Sequence, residues 1–214
     1  MHGAKIQDSG VGIGRNHRKY NFVNSSIMES KPFVITIVGP ESSGKTTLAR
    51  QLAADMGCPW VPEYAREYLE VLGREYNEAD LSVIAEGQWA VICEQLAVFP
   101  PSPLLGVSDF EALQQTLEEK EVLTFYREDF GDESRSVIII DSGMMGMRMW
   151  AKIKYNITIP VVEEALREDM TSMYILCRPV LPWEQDPLRE APTLLDRAWI
   201  YNQYLKEIFL SQEK

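Results

Sequence analysis

The sequence predicts a three-layer α/β sandwich built around a parallel sheet, and three observations carry that prediction. Short runs of apolar, mostly β-branched residues recur at 33–38, 137–140 and 173–177. Each has the length of a strand and is too uniformly apolar to face water on one side. Segments of helical period separate them, the alternation that leads to parallel pairing through crossovers. The first run also ends in a glycine-bracketed turn, residues 39–46, that leads straight into a helical pattern.

Taken in order, residues 1–30 hold no hydrophobic period. They mix Gly3, Gly10, Gly12 and Gly14 with Lys5, Arg15, Arg18 and Lys19, and are expected to be a disordered or non-native arm ahead of one domain at 31–214. After the strand at 33–38, residues 47–56 set Leu48, Leu52 and Met56 on one helix face, and Gly57 stops the helix. Residues 58–61 read as a second short strand and 65–72 as a helix. Residues 80–97 repeat Leu81, Ile84, Ala85, Gln88, Trp89 and Ile92 at helical spacing, with Asp80 as the expected N-cap. The stretch from Phe99 to Arg135 opens on Pro100, Pro101 and Pro103, passes through an expected helix at 110–125, and ends in an acidic run. The strand at 137–140 then delivers Asp141. Residues 144–155 and 160–169 read as helices, 173–177 as the third buried strand, and 193–210 as a closing helix.

Composition bounds the function. With 214 residues, 45% hydrophobic and 25% charged, the chain can bury a core without disulfides or a structural metal. Twenty-one basic against 32 acidic residues give a net charge of −11, which repels phosphate backbones and anionic lipid, so neither nucleic acid nor membrane is an expected partner. A small anion is still bindable, because a local nest of backbone N–H groups suffices. Cys58, Cys93 and Cys177 are scattered, as suits a reducing cytoplasm. No run approaches the roughly 18 apolar residues of a membrane helix. His2 and His17 fall in the arm, which leaves the domain no histidine base, zinc site or Ser-His-Asp arrangement. Met144, Met145, Met147 and Met149 read as packing, and Met147, Trp150 and Ala151 as a core face. The oligomeric state is not legible.

Gly39, Pro40, Glu41, Ser42, Ser43, Gly44, Lys45 and Thr46 fit the phosphate-loop pattern G-x-x-x-x-G-K-[ST] in full. Glycine lets successive N–H groups turn toward phosphate oxygens, Lys45 reaches the β- and γ-phosphates, and the Thr46 hydroxyl ligates Mg²⁺. Thr47 follows in the helix whose positive end adds to the cradle. ATP with Mg²⁺ is the expected cofactor, since the N-K-x-D motif of guanine readers is missing from the sequence. Folds of this kind need a carboxylate at the end of a neighbouring buried strand to hold the cation, and Asp141 fits, with Thr46 as the second metal residue. The expected fold is therefore that of the P-loop nucleoside triphosphate hydrolases, in its nucleoside-kinase-like form.

GPESSGKTTLARQLA, VPEYAREYLE, Asp80 with Gln88, IIIDS at 138–142 and YILCRPVLPWEQDPLRE at 174–190 together resemble the ribosylnicotinamide kinase domain of NadR, and more closely the stand-alone NadR-like ATPases. The resemblance spans about residues 31–204. It implies transfer of the γ-phosphate of ATP to the 5′-hydroxyl of a small-molecule acceptor, nicotinamide riboside, in NAD metabolism. Glu63, at the end of the second strand, is suited to orient or deprotonate that hydroxyl. Tyr64, Arg66 and Gln88 are the further acceptor candidates. Residues 179–197 resemble a lid, in which Arg189 meets the charge of the moving phosphoryl group and Arg197 adds a nucleotide contact. The catalytic set is thus Lys45, Glu63, Asp141 and Arg189.

The chain departs from the family pattern in places. Pro62 stands where an aromatic precedes the EY motif, and a second expected aromatic falls near Cys93, with Trp60 and Trp89 close by in sequence. Gly143 stands where a second acidic residue follows the strand-end aspartate. The family pattern continues past the last helix with a further strand and helix, and the 99–135 connector has no counterpart in it. The alternative reading is a nucleotide-dependent switch that phosphorylates no acceptor.

Overall fold

The structure, a computed structural model, describes residues 31–97, 103–168, 170–184 and 189–212. The arm at 1–30, together with Phe99, Pro100, Pro101, Asp169, Asp186 and Pro187, lies outside those residues. Strand β1 (Phe33–Val38) sits between β4 (Val137–Asp141) and β5 (Met173–Leu176), parallel to both. Strand β2 (Trp60–Val61) pairs outside β4, and β3 (Leu123–Tyr126) lies antiparallel along β5. The sheet order is β2-β4-β1-β5-β3. All residues of β1, β4 and β5 are buried, and each Val or Ile so removed from water stabilises the fold by about 1.5–3 kcal/mol.

Alternation along the strands divides the core. Phe33, Ile35, Ile37, Val137, Ile139 and Ile175 face α1 (Lys45–Met56) and α4 (Val107–Glu119). Val34, Ile138 and Ile140 face the layer of α2 (Tyr64–Leu72), α3 (Glu78–Ala97), α5 (Gly143–Trp150) and α6 (Pro160–Arg167). The last helix, α7 (Leu194–Gln212), joins that second layer through Tyr204 and Ile208 against Val38, Tyr174 and Leu176. Helices on both faces of a mainly parallel sheet make the expected three layers. No described helix is long and apolar enough to cross a membrane.

The expected helix at 110–125 requires correction. It runs over Val107–Glu119, and Phe125 belongs to β3. The break comes at Glu121, which adopts a left-handed conformation (φ 53) that no glycine or asparagine announces. The connector also brings Phe110 and Phe130 into a stack 4.4 Å apart, each edge-on to Phe33, so it packs on the start of β1. The expected helix at 144–155 likewise divides into α5 and a π-helical turn, Ala151–Tyr155, ended by Asn156 in a left-handed conformation.

Asp80 is not an N-cap. The Asn77 side chain accepts the Ala79 N–H, and Asp80 reaches back to accept the Asn77 N–H at 2.8 Å, the reciprocal half of a capping box. Its two oxygens also take Arg74 at 2.7 Å each and the Tyr68 hydroxyl at 2.8 Å. The Arg74 guanidinium, with the Asn77 N–H, holds the Asp80 carboxyl well below the usual carboxylate range. A carboxyl depressed in this way stabilises the fold above its unfolded value and loses that contribution as pH falls. Asp80→Asn should therefore lower the urea midpoint at neutral pH, with the gap to the parent narrowing progressively as pH falls below about 4. A gap that stays constant with pH would show that the ionised carboxylate is not its source.

Candidate functional site

The sheet register brings the site together. Ile37 lies opposite Asp141 and Val38 opposite Leu176, so the loop leaving β1 emerges between the ends of β4 and β5. A Cβ at Gly39 would lie 2.8 Å from the Cys177 carbonyl oxygen and 2.9 Å from the Ser43 hydroxyl, so only glycine lets the loop start this close to the sheet. The Cys177 thiol behind it is buried, which pushes its pKa up to about 12. Gly44 is left-handed (φ 81) and opens α1, whose N-terminus receives no side-chain cap. The first N–H groups of α1 thus lack side-chain acceptors at the mouth of the loop, the arrangement that binds phosphate.

Asp141 is fully buried at the end of β4. Neither of its carboxylate oxygens has a hydrogen-bond partner among the described residues, and the buried Ser43 and Ser142 hydroxyls have none either. Burial pushes the Asp141 carboxyl up and nearby Glu63 adds to this, while the charges of Lys45 and Arg50 pull it down. Each such orphaned group costs about 1–3 kcal/mol, and more where charged. Together they fit a hydrated divalent cation, which takes one or two carboxylates and otherwise water and phosphate oxygens. Ser142 itself is held at φ 63, ψ −48, a conformation costing a non-glycine residue about 1–3 kcal/mol. Gly143 is left-handed too (φ 52), and a Cβ there would press to 3.2 Å on Ile140 and Thr36. That packing accounts for glycine where an acidic residue was expected.

On the acceptor side, Glu63 occupies the N-cap position of α2 without making a capping hydrogen bond, and it lines the cavity beside the phosphate loop. Arg66, one turn on, lines it as well. Tyr64 and Gln88 are not among the lining residues. The buried Gln88 amide accepts the Tyr64 N–H at 2.8 Å and donates to the Pro62 carbonyl at 3.2 Å. It thereby fixes the turn that presents Glu63. The Tyr64 ring packs on α3 at Gly87, where a Cβ would come within 2.1 Å of it.

The described residues between β5 and α7, 178–184 and 189–193, form a strap whose second part lies across the loop. Arg189 donates to the Ser42 hydroxyl at 3.0 Å and to the Glu184 carbonyl. Arg197 is buried in α7, donates to the Leu181 carbonyl at 2.9 Å and lies over Trp183. It braces the strap and is not among the residues lining the cavity. Glu41 accepts the Glu190 and Ala191 N–H groups.

These pieces enclose one cavity of about 600 Å³, lined by the whole loop from Gly39 to Thr47, by Glu63, Arg66 and Arg189, and by aromatic Trp150, Trp199 and Tyr204. Sequence reasoning missed those three aromatics. Trp150 reads as core, yet Gly146, Trp150, Ile153 and Lys154 line the cavity from one helical face, a spacing that was available in the sequence. Trp60 instead packs against Arg50 and the α1 face, and Trp89, itself on α3, against the core it shares with α5 and α6. Gln88→Ala should leave two part-buried backbone groups unpaired and lower stability by about 1–3 kcal/mol, read as a urea-midpoint shift. No shift would mean that water replaces the amide and that the turn does not need it.

Comparison with known proteins agrees with this geometry. A family model described as an AAA domain matches residues 34–209. A tRNA dimethylallyltransferase of Synechococcus sp. (strain CC9902) is 27% identical over 165 residues, or 77% of this chain and 50% of that protein. The chain thus spans about half the length of that curated relative. Among solved structures, NadR protein in complex with NR superposes with a TM-score of 0.57 at 18% identity, over 84% of this chain and 43% of that one. NadR in complex with NAD and AMP-PNP gives 0.52 at 19%, over 84% and 42%. At such identities the likeness is one of fold, and the fold is that of P-loop nucleotide-binding proteins. The family match reaches from the second residue of β1 into α7, and by it the chain belongs to the AAA-domain family of P-loop proteins.

Proposed function

We propose that residues 31–214 form an ATP- and Mg²⁺-dependent small-molecule kinase, with 179–197 as its lid and 1–30 as an arm outside the domain. The acceptor is nucleoside-like, and nicotinamide riboside is the first to test. One observation carries this reading. Glu63 and Arg66 face the same cavity as Lys45 and Thr46, so a hydroxyl held by the first pair can meet a phosphate held by the second. A switch that only hydrolyses nucleotide needs no such acceptor wall. The tRNA-modifying relative does not change the acceptor class, because a net charge of −11 opposes a polyanionic partner. Three unpaired thiols favour a reducing compartment, in keeping with the cytoplasm.

The roles follow from residue chemistry. The N–H groups of Gly39–Thr47, Pro40 having none, cradle the phosphates, and Lys45 places a positive charge on the β- and γ-oxygens. Thr46 and Asp141 would hold Mg²⁺, which supplies charge neutralisation across the transferring phosphoryl group. Glu63 orients the acceptor hydroxyl and takes up its proton at a carboxylate oxygen. Arg66 binds the acceptor near that hydroxyl. Arg189 meets the charge that develops on the equatorial oxygens, so it acts chiefly in the transition state.

Lys45→Ala should abolish turnover, and Asp141→Asn should lower Mg²⁺-dependent turnover by about 10²-fold or more, both followed as ADP release. An Asp141→Asn protein with unaltered Mg²⁺ dependence would move the metal role elsewhere. Glu63→Gln should reduce transfer to any acceptor by about 10²–10⁴-fold while leaving ATP binding intact. A panel of ribosides screened with ATP decides between the classes: acceptor-stimulated ADP release with a phosphorylated product supports the kinase. ADP release indifferent to every acceptor and to Glu63→Gln would overturn it in favour of the switch.

A further inference from the structure

We propose that Glu41, the third residue of the phosphate loop, is a positioning residue whose carboxylate latches the strap onto the loop and thereby sets Arg189 at the cavity. A carboxylate within a loop built to bind phosphates opposes that binding electrostatically unless its charge is answered from another side. Here it is answered. One Glu41 oxygen accepts two successive backbone N–H groups, from Glu190 at 2.8 Å and Ala191 at 2.9 Å. Paired, charge-assisted bonds of this kind fix the direction of the segment as well as its distance.

The residue before that pair is Arg189, and the residue after Glu41 is Ser42, and these two also meet, Nη1 to hydroxyl, at 3.0 Å. Two adjacent loop residues thus hold three adjacent strap residues. The Glu190 side chain is drawn the other way, onto Lys154 and the Tyr76 hydroxyl, and Tyr76 accepts the Trp150 indole N–H at 3.0 Å. Strap, loop and the π-helical turn that carries Lys154 are therefore fastened at one point, with Arg189 left lining the cavity. No motif role in phosphate binding asks for glutamate at this position, whereas the latch asks for an acceptor long enough to reach two strap amides.

The latch rests on hydrogen bonds alone, while its catalytic consequence rests on the role given to Arg189 above, so the test reads the two separately. In the full-length protein without nucleotide, amide hydrogen exchange at Glu190 and Ala191 should rise by about tenfold or more in Glu41→Ala. Glu41→Gln keeps a carbonyl acceptor and should retain most of the protection. Unchanged exchange in Glu41→Ala overturns the latch. For turnover of Mg²⁺ATP, Glu41→Ala should lower kcat by about 10²-fold, the scale of a reacting group misplaced by about 1 Å, with KM moving less and Glu41→Gln restoring most of the rate. Added to Arg189→Ala, it should cost nothing further, because both changes remove the same contribution. Fully additive losses would overturn positioning through Arg189. A kcat unaffected by Arg189→Ala would remove the catalytic role of that residue and with it the positioning claim, whereas the latch stands or falls on amide exchange.

Discussion

An ionisable group at the end of β4 has no hydrogen-bond partner in the described chain, and much of the architecture serves to keep it where it is. Asp141 is fully buried and continues a strand whose other residues are apolar. Burying a carboxylate unpaired is costly, and the fold offsets that cost with the apolar sheet on either side. β1 pairs with β4 through to Ile37 and Asp141, which fixes the carboxylate next to the start of the phosphate loop. The left-handed Ser142 then turns the chain sharply into α5, held by its N–H to the Ile37 carbonyl at 2.8 Å. Strain, burial and orphaned oxygens converge on a single place, where ligand chemistry is the physical reason to tolerate all three.

Around that centre, the supporting contacts are polar and come from distant parts of the chain. Gln88, deep in α3, sets the turn that carries Glu63. The capping box of Asn77 and Asp80, tied to Arg74 and Tyr68, fixes where α3 begins and so where Gln88 stands. Neither residue touches the cavity, yet the geometry of Glu63 depends on both. A site built in this manner is pre-organised by its second layer of contacts and does not rely on the loops alone.

Much of this was legible in the amino-acid order because it is written locally. Buried strands announce themselves by short, nearly uninterrupted apolar runs, and the phosphate loop by glycines whose conformations no other residue adopts cheaply. Glu63 and Asp141 were readable because a carboxylate just past an apolar strand is conspicuous. The rest is encoded between segments. Glu41 meets strap residues about 150 positions away, and nothing in either stretch signals the other. Trp150 and Tyr204 carry apolar patterns that fit a core as well as a cavity wall. β3 was hidden because Glu121 makes the turn without the residue type that normally marks it, and the cap of α3 was ambiguous because Asn77 and Asp80 are both good capping residues.

The contact between Gly39 and Cys177 has a bearing on how such a sequence can change over time. These positions lie on different strands' ends and are 138 residues apart in the chain, yet a side chain on the first would run into the carbonyl oxygen and Cβ of the second. The carbonyl is common to every residue and the Cβ to all but glycine, so exchanging the cysteine for another side chain gives position 39 no room for a Cβ. The limit on the start of the phosphate loop is thus set by the main chain at the end of β5 and not by which side chain it carries. Change at position 177 leaves the glycine at 39 as tightly held as before, and only a shift of the backbone between the two strands could release it.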